Sequence, residues 1–214
     1  MDREEIVKCT EEFVRDEMGE DPAHDWWHVK RVTDLAIEIG KEEGADLFIV
    51  RLAALLHDLE DWKYNDGRTG SERARRWLKD LGVEDRIVSK ISHIIENVSF
   101  EGAGAESDIG TKEGKVVQDA DRLDSLGAIG IARCFSYAGS QGRKIHDPGE
   151  PPENHETFEE YRESETTTIN HFYEKLLLLK DRINTDTARG MAEERHEFME
   201  KFLERFYDEW DGTR

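Results

Sequence analysis

Apolar residues recur at the helical period from end to end of this chain, and no alternation of Val, Ile and Thr is sustained, so the sequence predicts an all-α fold. Residues 3–18 repeat Ile6, Val7, Phe13 and Val14 between acids. Residues 26–43 set Val29, Val32, Leu35, Ala36 and Ile39 on one face, with Asp25 as N-cap and Gly44 as stop. An apolar helix is expected over 46–58, and two more over 69–81 and 84–98, the first closed by Leu81-Gly82. A single apolar helix is expected over 114–137, then two long helices over 156–211 with a break near Asn184-Thr185-Asp186. Residues 101–111 (EGAGAESDIGT) and 139–154, which hold three of the four prolines, read as surface loops. Neither loop separates self-sufficient halves, because the helix between them needs partners on both sides.

The 214 residues suffice for one large core. Charged residues make up 37% and hydrophobic ones 36%, a polar balance, but five Trp and nine Phe argue against disorder. No apolar stretch approaches the roughly 20 residues needed to span a bilayer. The amphipathic start MDREEIVKCTEEF has no signal-peptide core, and Cys9 and Cys134 read as packing residues of a reducing compartment, so a cytoplasmic protein is expected. A net charge of −20, from 50 acids and 30 bases, disfavours general nucleic-acid binding and anionic membranes. A small phosphorylated substrate would therefore need cations of its own at the site.

Three stretches carry polar residues that fit poorly in a core. In LAALLHDLEDWK (52–63) five apolar residues run into His57 and Asp58; Asp61 lies one turn after His57, on the same face. The alternative is a capped helix end with a satisfied histidine. In HDWWH (24–28) His24 and His28 are one turn apart, which resembles half a metal site but also suits a cap and a packing contact; Trp26 and Trp27 read as core anchors. In VVQDADRLDSLGAIG (116–130) Asp119, Asp121, Arg122 and Asp124 interrupt an apolar helix. A metal or a cationic partner would neutralise these acids, and the alternative is a solvated face. Together His28, His57, Asp58 and Asp121 offer two nitrogens and two oxygens, leaving an octahedral ion two positions for water and substrate.

The order H…HD…D, carried by HDWWHVKRV, LAALLHDLEDWK, VVQDADRLDSLGAIGIAR and INHFYEKLLLLKDRINT over about residues 24–200, resembles the HD-domain metal-dependent phosphohydrolases, and most closely their small bacterial and archaeal predicted-hydrolase branch. The resemblance implies a single helical bundle over 1–214, with a metal-binding core at about 20–140 and the helices of 156–211 packed on it. It implies one divalent ion on His28, His57, Asp58 and Asp121. It also implies an acid soon after the HD pair that positions or deprotonates water: Asp61 first, Glu60 second. Candidate substrate contacts are Lys63, Arg122, Lys175, His24, His93 and His171, although Arg122 also suits an ion pair with Asp119 or Asp58.

The expected activity is divalent-metal-dependent hydrolysis of a small nucleotide, with pyrophosphohydrolysis of nucleoside triphosphates favoured by the resemblance. The alternatives are a nucleotide phosphomonoesterase or other phosphodiesterase, and a catalytically silent nucleotide- or metal-binding regulator. Cyclic-dinucleotide and two-iron chemistries are disfavoured, since His93 is the only histidine between His57 and Asp121. The ligand set does not discriminate among Mn²⁺, Mg²⁺, Co²⁺, Fe²⁺, Ni²⁺ and Zn²⁺. The protein is expected as a monomer or a homodimer.

Overall fold

A computed structural model describes residues 1–18, 25–59, 69–98, 109–153 and 166–213. Among these residues every regular element is a helix: α1 (Arg3–Glu17), α2 (Trp26–Glu42), α3 (Leu47–Leu56), α4 (Gly70–Asp80), α5 (Asp85–Asn97), α6 (Lys112–Asp124), α7 (Gly127–Ser140), α8 (Thr168–Glu174) and α9 (Asp186–Trp210). Short 3₁₀ turns, Leu176–Leu178 and Lys180–Arg182, lie between the last two. Side chains set most of the starts. Asp2 with Glu5, and Thr69 with Glu72, form capping boxes, while Asp25, Asp46, Thr167 and Thr185 each accept a backbone N–H of the first turn. Gly44 turns the chain out of α2 at φ +64°, where a Cβ would be strained.

Contacts gather the chain into two compact units, Met1–Phe100 with Glu106–Ala120, and Glu101–Ala105 with Asp121–Arg214. In the first, α3 is the central element: eight of its ten residues are buried, and it packs against α1, α2 and α5. Each such Leu, Ile or Val contributes about 1.5–3 kcal/mol on burial, so this helix is fixed by its surroundings rather than by its length. α4 packs on α5 and is tied to α1, where Trp77 stacks on Phe13 with ring centroids 4.0 Å apart and donates to Thr10 Oγ1 at 3.1 Å. α6 is fastened at its start by Lys112 Nζ on the Glu43 carbonyl at 2.7 Å. Near its middle, Gln118 Nε2 bonds the Asn97 carbonyl at 3.1 Å.

In the second unit α7 packs on α9 around Phe135, Phe172, Phe202 and Phe206. The single helix expected over 114–137 is two. The Leu126 N–H bonds the Leu123 carbonyl at 3.0 Å, Leu126 is extended, and Gly127 adopts φ +69° against Arg195. The apolar pattern runs through this corner although the arm after it is only partly buried, with Gly127, Gly130 and Ala138 inside and Ile129 45% exposed. The region before α9 also differs from expectation. Its described part is the seven-residue α8 and the 3₁₀ turns, in which Leu176 and Leu179 are buried while Leu178 is 36% exposed. The predicted break at Thr185 is the N-cap of α9. Of the two tryptophans expected as anchors, Trp27 is 63% exposed.

The chain leaves Leu59 and re-enters at Gly70, where an added Cβ would lie 2.0 Å from the Leu59 carbonyl oxygen. Gly70→Ala must therefore push apart the two strands of chain that follow the HD pair, and is expected to lower stability by about 1–3 kcal/mol in urea unfolding. Gly190, exposed inside α9 with nothing within 4 Å of an added Cβ, behaves oppositely. Gly190→Ala is expected to raise stability by about 0.5–1 kcal/mol in the same measurement.

Candidate metal centre

Three of the four expected ligands are described in the first unit, and they converge. His28 lies in the first turn of α2, where Asp25 Oδ1 accepts its backbone N–H at 2.8 Å; its side chain is turned inward and is 1% exposed. His57 and Asp58 follow directly on α3, so the apolar helix sets their position. One donor atom from each of the three lies within 4.8 Å of the others, and the two imidazole centroids are 5.3 Å apart.

The hydrogen bonds around this cluster favour lone pairs pointing inward. His57 Nδ1 lies 2.8 Å from the Ala54 carbonyl oxygen, which can only accept, so Nδ1 carries the proton and Nε2 presents its lone pair. This backbone orientation of one ring nitrogen is the arrangement by which metal-binding histidines are held. Asp58 Oδ2 is buried and accepts no hydrogen bond among the described residues; it lies 3.9 Å from His28 Nε2, too far for a hydrogen bond. Two atoms each about 2.1 Å from a shared ion lie no more than about 4.2 Å apart, so that separation is one an ion can bridge. The residues present thus fit a divalent ion: two nitrogens and a carboxylate with an oxygen otherwise left unsatisfied in a buried place.

The remaining expected residues fall elsewhere or outside the description. His24, Glu60, Asp61 and Lys63 lie outside the described residues. Asp121 is half-buried near the end of α6, where the longer segment of the second unit begins. The acids around it do not form a solvated face: Asp119 is fully buried, and buried Asp124 pairs with Arg133 at 3.0 Å. Arg122 is buried and donates Nη1 to the Arg182 carbonyl, which fastens α6 to the second 3₁₀ turn.

His93, in the first unit, is half-buried on α5. Asn97 Nδ2 donates to the His93 carbonyl at 2.8 Å, which identifies that end of the amide as NH₂, and it also approaches His93 Nδ1 at 3.3 Å. Nδ1 is therefore the acceptor and Nε2 carries the proton, the reverse of His57.

His171 of α8 and Lys175 at its C-cap, four residues on, belong to the second unit. Burial first, and then the positive charges of Lys175 and Arg143, push the His171 imidazole down to about 3, so it is neutral at physiological pH. Burial raises the nearby Cys134 thiol to about 12, against the opposing pull of the same two cations. Arg143 was not singled out by its sequence context: it sits in a polar, glycine-containing turn where a surface role is the ordinary expectation.

Comparison with known proteins places these residues in a family. The HD domain family model matches residues 26–126. The Bacillus subtilis protein YpgQ is 43% identical over 203 residues, covering 94% of this chain and 89% of that protein. Its crystal structure in complex with ADP superposes with a TM-score of 0.77 at 37% identity, covering 98% of this chain and 97% of that one. The crystal structure of an HD-superfamily hydrolase from Bacillus thuringiensis matches with a TM-score of 0.77 at 42% identity, over 98% of this chain and 99% of that one.

Two outcomes are expected from this geometry. An ion bound only by the folded protein adds about 2.7 kcal/mol at 100 times its dissociation constant. That increment, read as the difference in urea stability with and without excess Mn²⁺, should vanish in His57→Ala and in Asp58→Asn. The second concerns pH. A histidine held neutral by folding leaves the unfolded chain binding more protons between about 6.5 and 3, so stability is complete above pH 6.5 and declines as pH falls through that window. Relative to pH 7, wild type should lose about 2 kcal/mol more than His171→Gln by pH 4.5 in urea titrations at the two pH values.

Proposed function

Since this chain belongs to the HD-domain family of metal-dependent phosphohydrolases, we propose that its substrate is a small nucleotide and that it releases pyrophosphate from a nucleoside triphosphate. The observation that carries the metal-dependent part is the convergence of His28, His57 and Asp58, with Asp58 Oδ2 buried and accepting no hydrogen bond among the described residues. The nucleotide part is supported by the similarity to YpgQ, a protein whose crystal structure was determined with ADP.

In this reading Asp121 is the fourth ligand, on the strength of the H…HD…D order in the sequence. A divalent ion held there supplies Lewis acidity toward a phosphoryl oxygen and lowers the pKa of water. The chain's own groups do the rest. Asp61, four residues beyond His57 in sequence, takes a proton from the water that attacks phosphorus, with Glu60 the second candidate. The bond from the α-phosphorus to the bridging oxygen breaks, and pyrophosphate departs with that oxygen. His93 Nε2–H, held as a donor by Asn97, is suited to a substrate oxygen. Lys63, Lys175, His171, Arg122 and His24 remain the candidate contacts, and Lys63 and Lys175 supply the local positive charge that a −20 chain otherwise lacks. The whole chain, 1–214, acts as one catalytic domain in this proposal.

The test is a panel of nucleoside mono-, di- and triphosphates with Mn²⁺, Mg²⁺ or Co²⁺, with phosphate and pyrophosphate quantified separately. Pyrophosphate release from triphosphates is expected, and His57→Ala and Asp121→Ala should abolish it. Asp61→Asn should lower kcat by about 10²–10⁴-fold while the protein keeps its metal. Phosphate release from monophosphates alone would move the assignment to a phosphomonoesterase. Tight nucleotide binding with no turnover by any metal would make the chain a regulator.

A further inference from the structure

His28 is the third residue of α2, so its N–H is one of the donors that every helix start leaves without a partner inside the helix. Asp25 supplies that partner. Its Oδ1 takes the His28 N–H at 2.8 Å, and its carbonyl takes the same N–H at 3.1 Å and the Val29 N–H at 3.3 Å. Asp25 itself is extended, at φ −91° and ψ 172°, so one residue both begins the helix and ties down its first turn.

That turn carries a ligand but little apolar anchorage ahead of it. Trp27 is 63% exposed and Trp26 is half-buried, so the two residues between the cap and the ligand bury little of their surface. The His28 side chain points the other way. It is 1% exposed, its ring centroid is 5.3 Å from that of His57, and its Nε2 is 3.9 Å from Asp58 Oδ2. Metal–nitrogen bonds of about 2.0–2.1 Å tolerate only about 0.2 Å of displacement. His57 and Asp58 are set by the buried helix α3, so the ligand set stays complete only while the start of α2 keeps its place. Apparent affinity falls with the fraction of molecules in which all ligands are in place, and a lost Asp cap moves the opening of a first turn about fivefold.

We propose that Asp25 is a positioning residue for the metal centre. Through its bond to the His28 N–H it holds the first turn of α2, and with it the His28 imidazole, where an ion can be shared with His57 and Asp58. HDWWH thus carries one ligand and the residue that sets that ligand. The inference rests on the metal-dependent reading above and adds to it a residue that does not itself bind the ion.

Full-length wild type and three variants, freed of metal, are titrated with Mn²⁺ by calorimetry, and exchange of the His28 amide is followed in the metal-free proteins. Asp25→Ala removes the acceptor and the charge, whereas Asp25→Asn keeps an acceptor and removes only the charge. Asp2→Ala removes the cap of α1, where Asp2 Oδ1 takes the Glu5 N–H at 2.9 Å. A lost cap is small against the stability of a whole domain, so all three variants stay folded. In Asp25→Ala the His28 amide is expected to exchange about fivefold faster, and Mn²⁺ to bind about three- to tenfold more weakly. Asp25→Asn should stay within about twofold of wild type in both measurements. Asp2→Ala should lose as much stability in urea as Asp25→Ala and still bind Mn²⁺ like wild type, which separates positioning from a general loss of stability. An Asp25→Ala variant with wild-type Mn²⁺ affinity overturns the role of Asp25. An Asp25→Asn variant as weak as Asp25→Ala overturns it too, because charge and not capping then carries the effect. Equal weakening in Asp2→Ala has the same consequence. Absence of Mn²⁺ binding by wild type overturns the metal-dependent reading itself, whereas binding by wild type that Asp25→Ala matches overturns the inference about Asp25 alone.

Discussion

The apolar burial of α3 is the constraint on which the rest of the first unit depends. Eight buried residues hold a ten-residue helix that would be marginal alone, and they leave its C-terminal end little freedom. At that end the Ala54 carbonyl takes the His57 Nδ1 proton, which decides that Nε2 faces inward as a lone pair. The neighbouring helix brings His28 to within 3.9 Å of Asp58 without a hydrogen bond between them. Buried polar atoms are ordinarily paired, so Asp58 Oδ2, which accepts no hydrogen bond among the described residues, marks the place it shares with the two imidazoles as one suited to a cation.

The second unit differs in its electrostatics. There burial keeps the His171 imidazole and the Cys134 thiol uncharged, with the positive charges of Lys175 and Arg143 acting on both. In a chain of net charge −20 the long-range field draws cations and repels anions, so a metal ion is favoured by the surface as a whole while a phosphorylated molecule depends on local positive charge.

Much of the first unit was legible in the sequence because its signals are local. Asp25 and Gly44 mark the ends of α2, and the run from Leu52 to Leu56 announces a buried helix directly before His57. The corner at Leu126-Gly127 was not legible. Apolar periodicity continues across it, and the reason for the turn is tertiary: Gly127 packs against Arg195, far away in sequence. The 3₁₀ turns were hidden in the same way, since four consecutive leucines give no sign of which ones point inward. His93 and His57 looked alike as letters. Their opposite protonation depends on a carbonyl in one case and an amide in the other, and neither partner is a pattern in sequence. Arg143 was invisible because a basic residue in a turn is ordinarily solvated, and only packing shows that its neighbours are held neutral.

The contact between Leu59 and Gly70 bears on how such a protein can change over evolutionary time. Leu59 and Gly70 meet, so the two ends of the ten residues that separate them in sequence are held at one place. For a flexible loop between fixed ends, each doubling of length costs only about 0.6 kcal/mol of closure entropy. His57 and Asp58 precede that meeting point in sequence, and Asp61 and Lys63 fall between Leu59 and Gly70. Changes of length or composition between Leu59 and Gly70 therefore need not displace His57 and Asp58, so the two stretches of sequence are free to evolve at different rates.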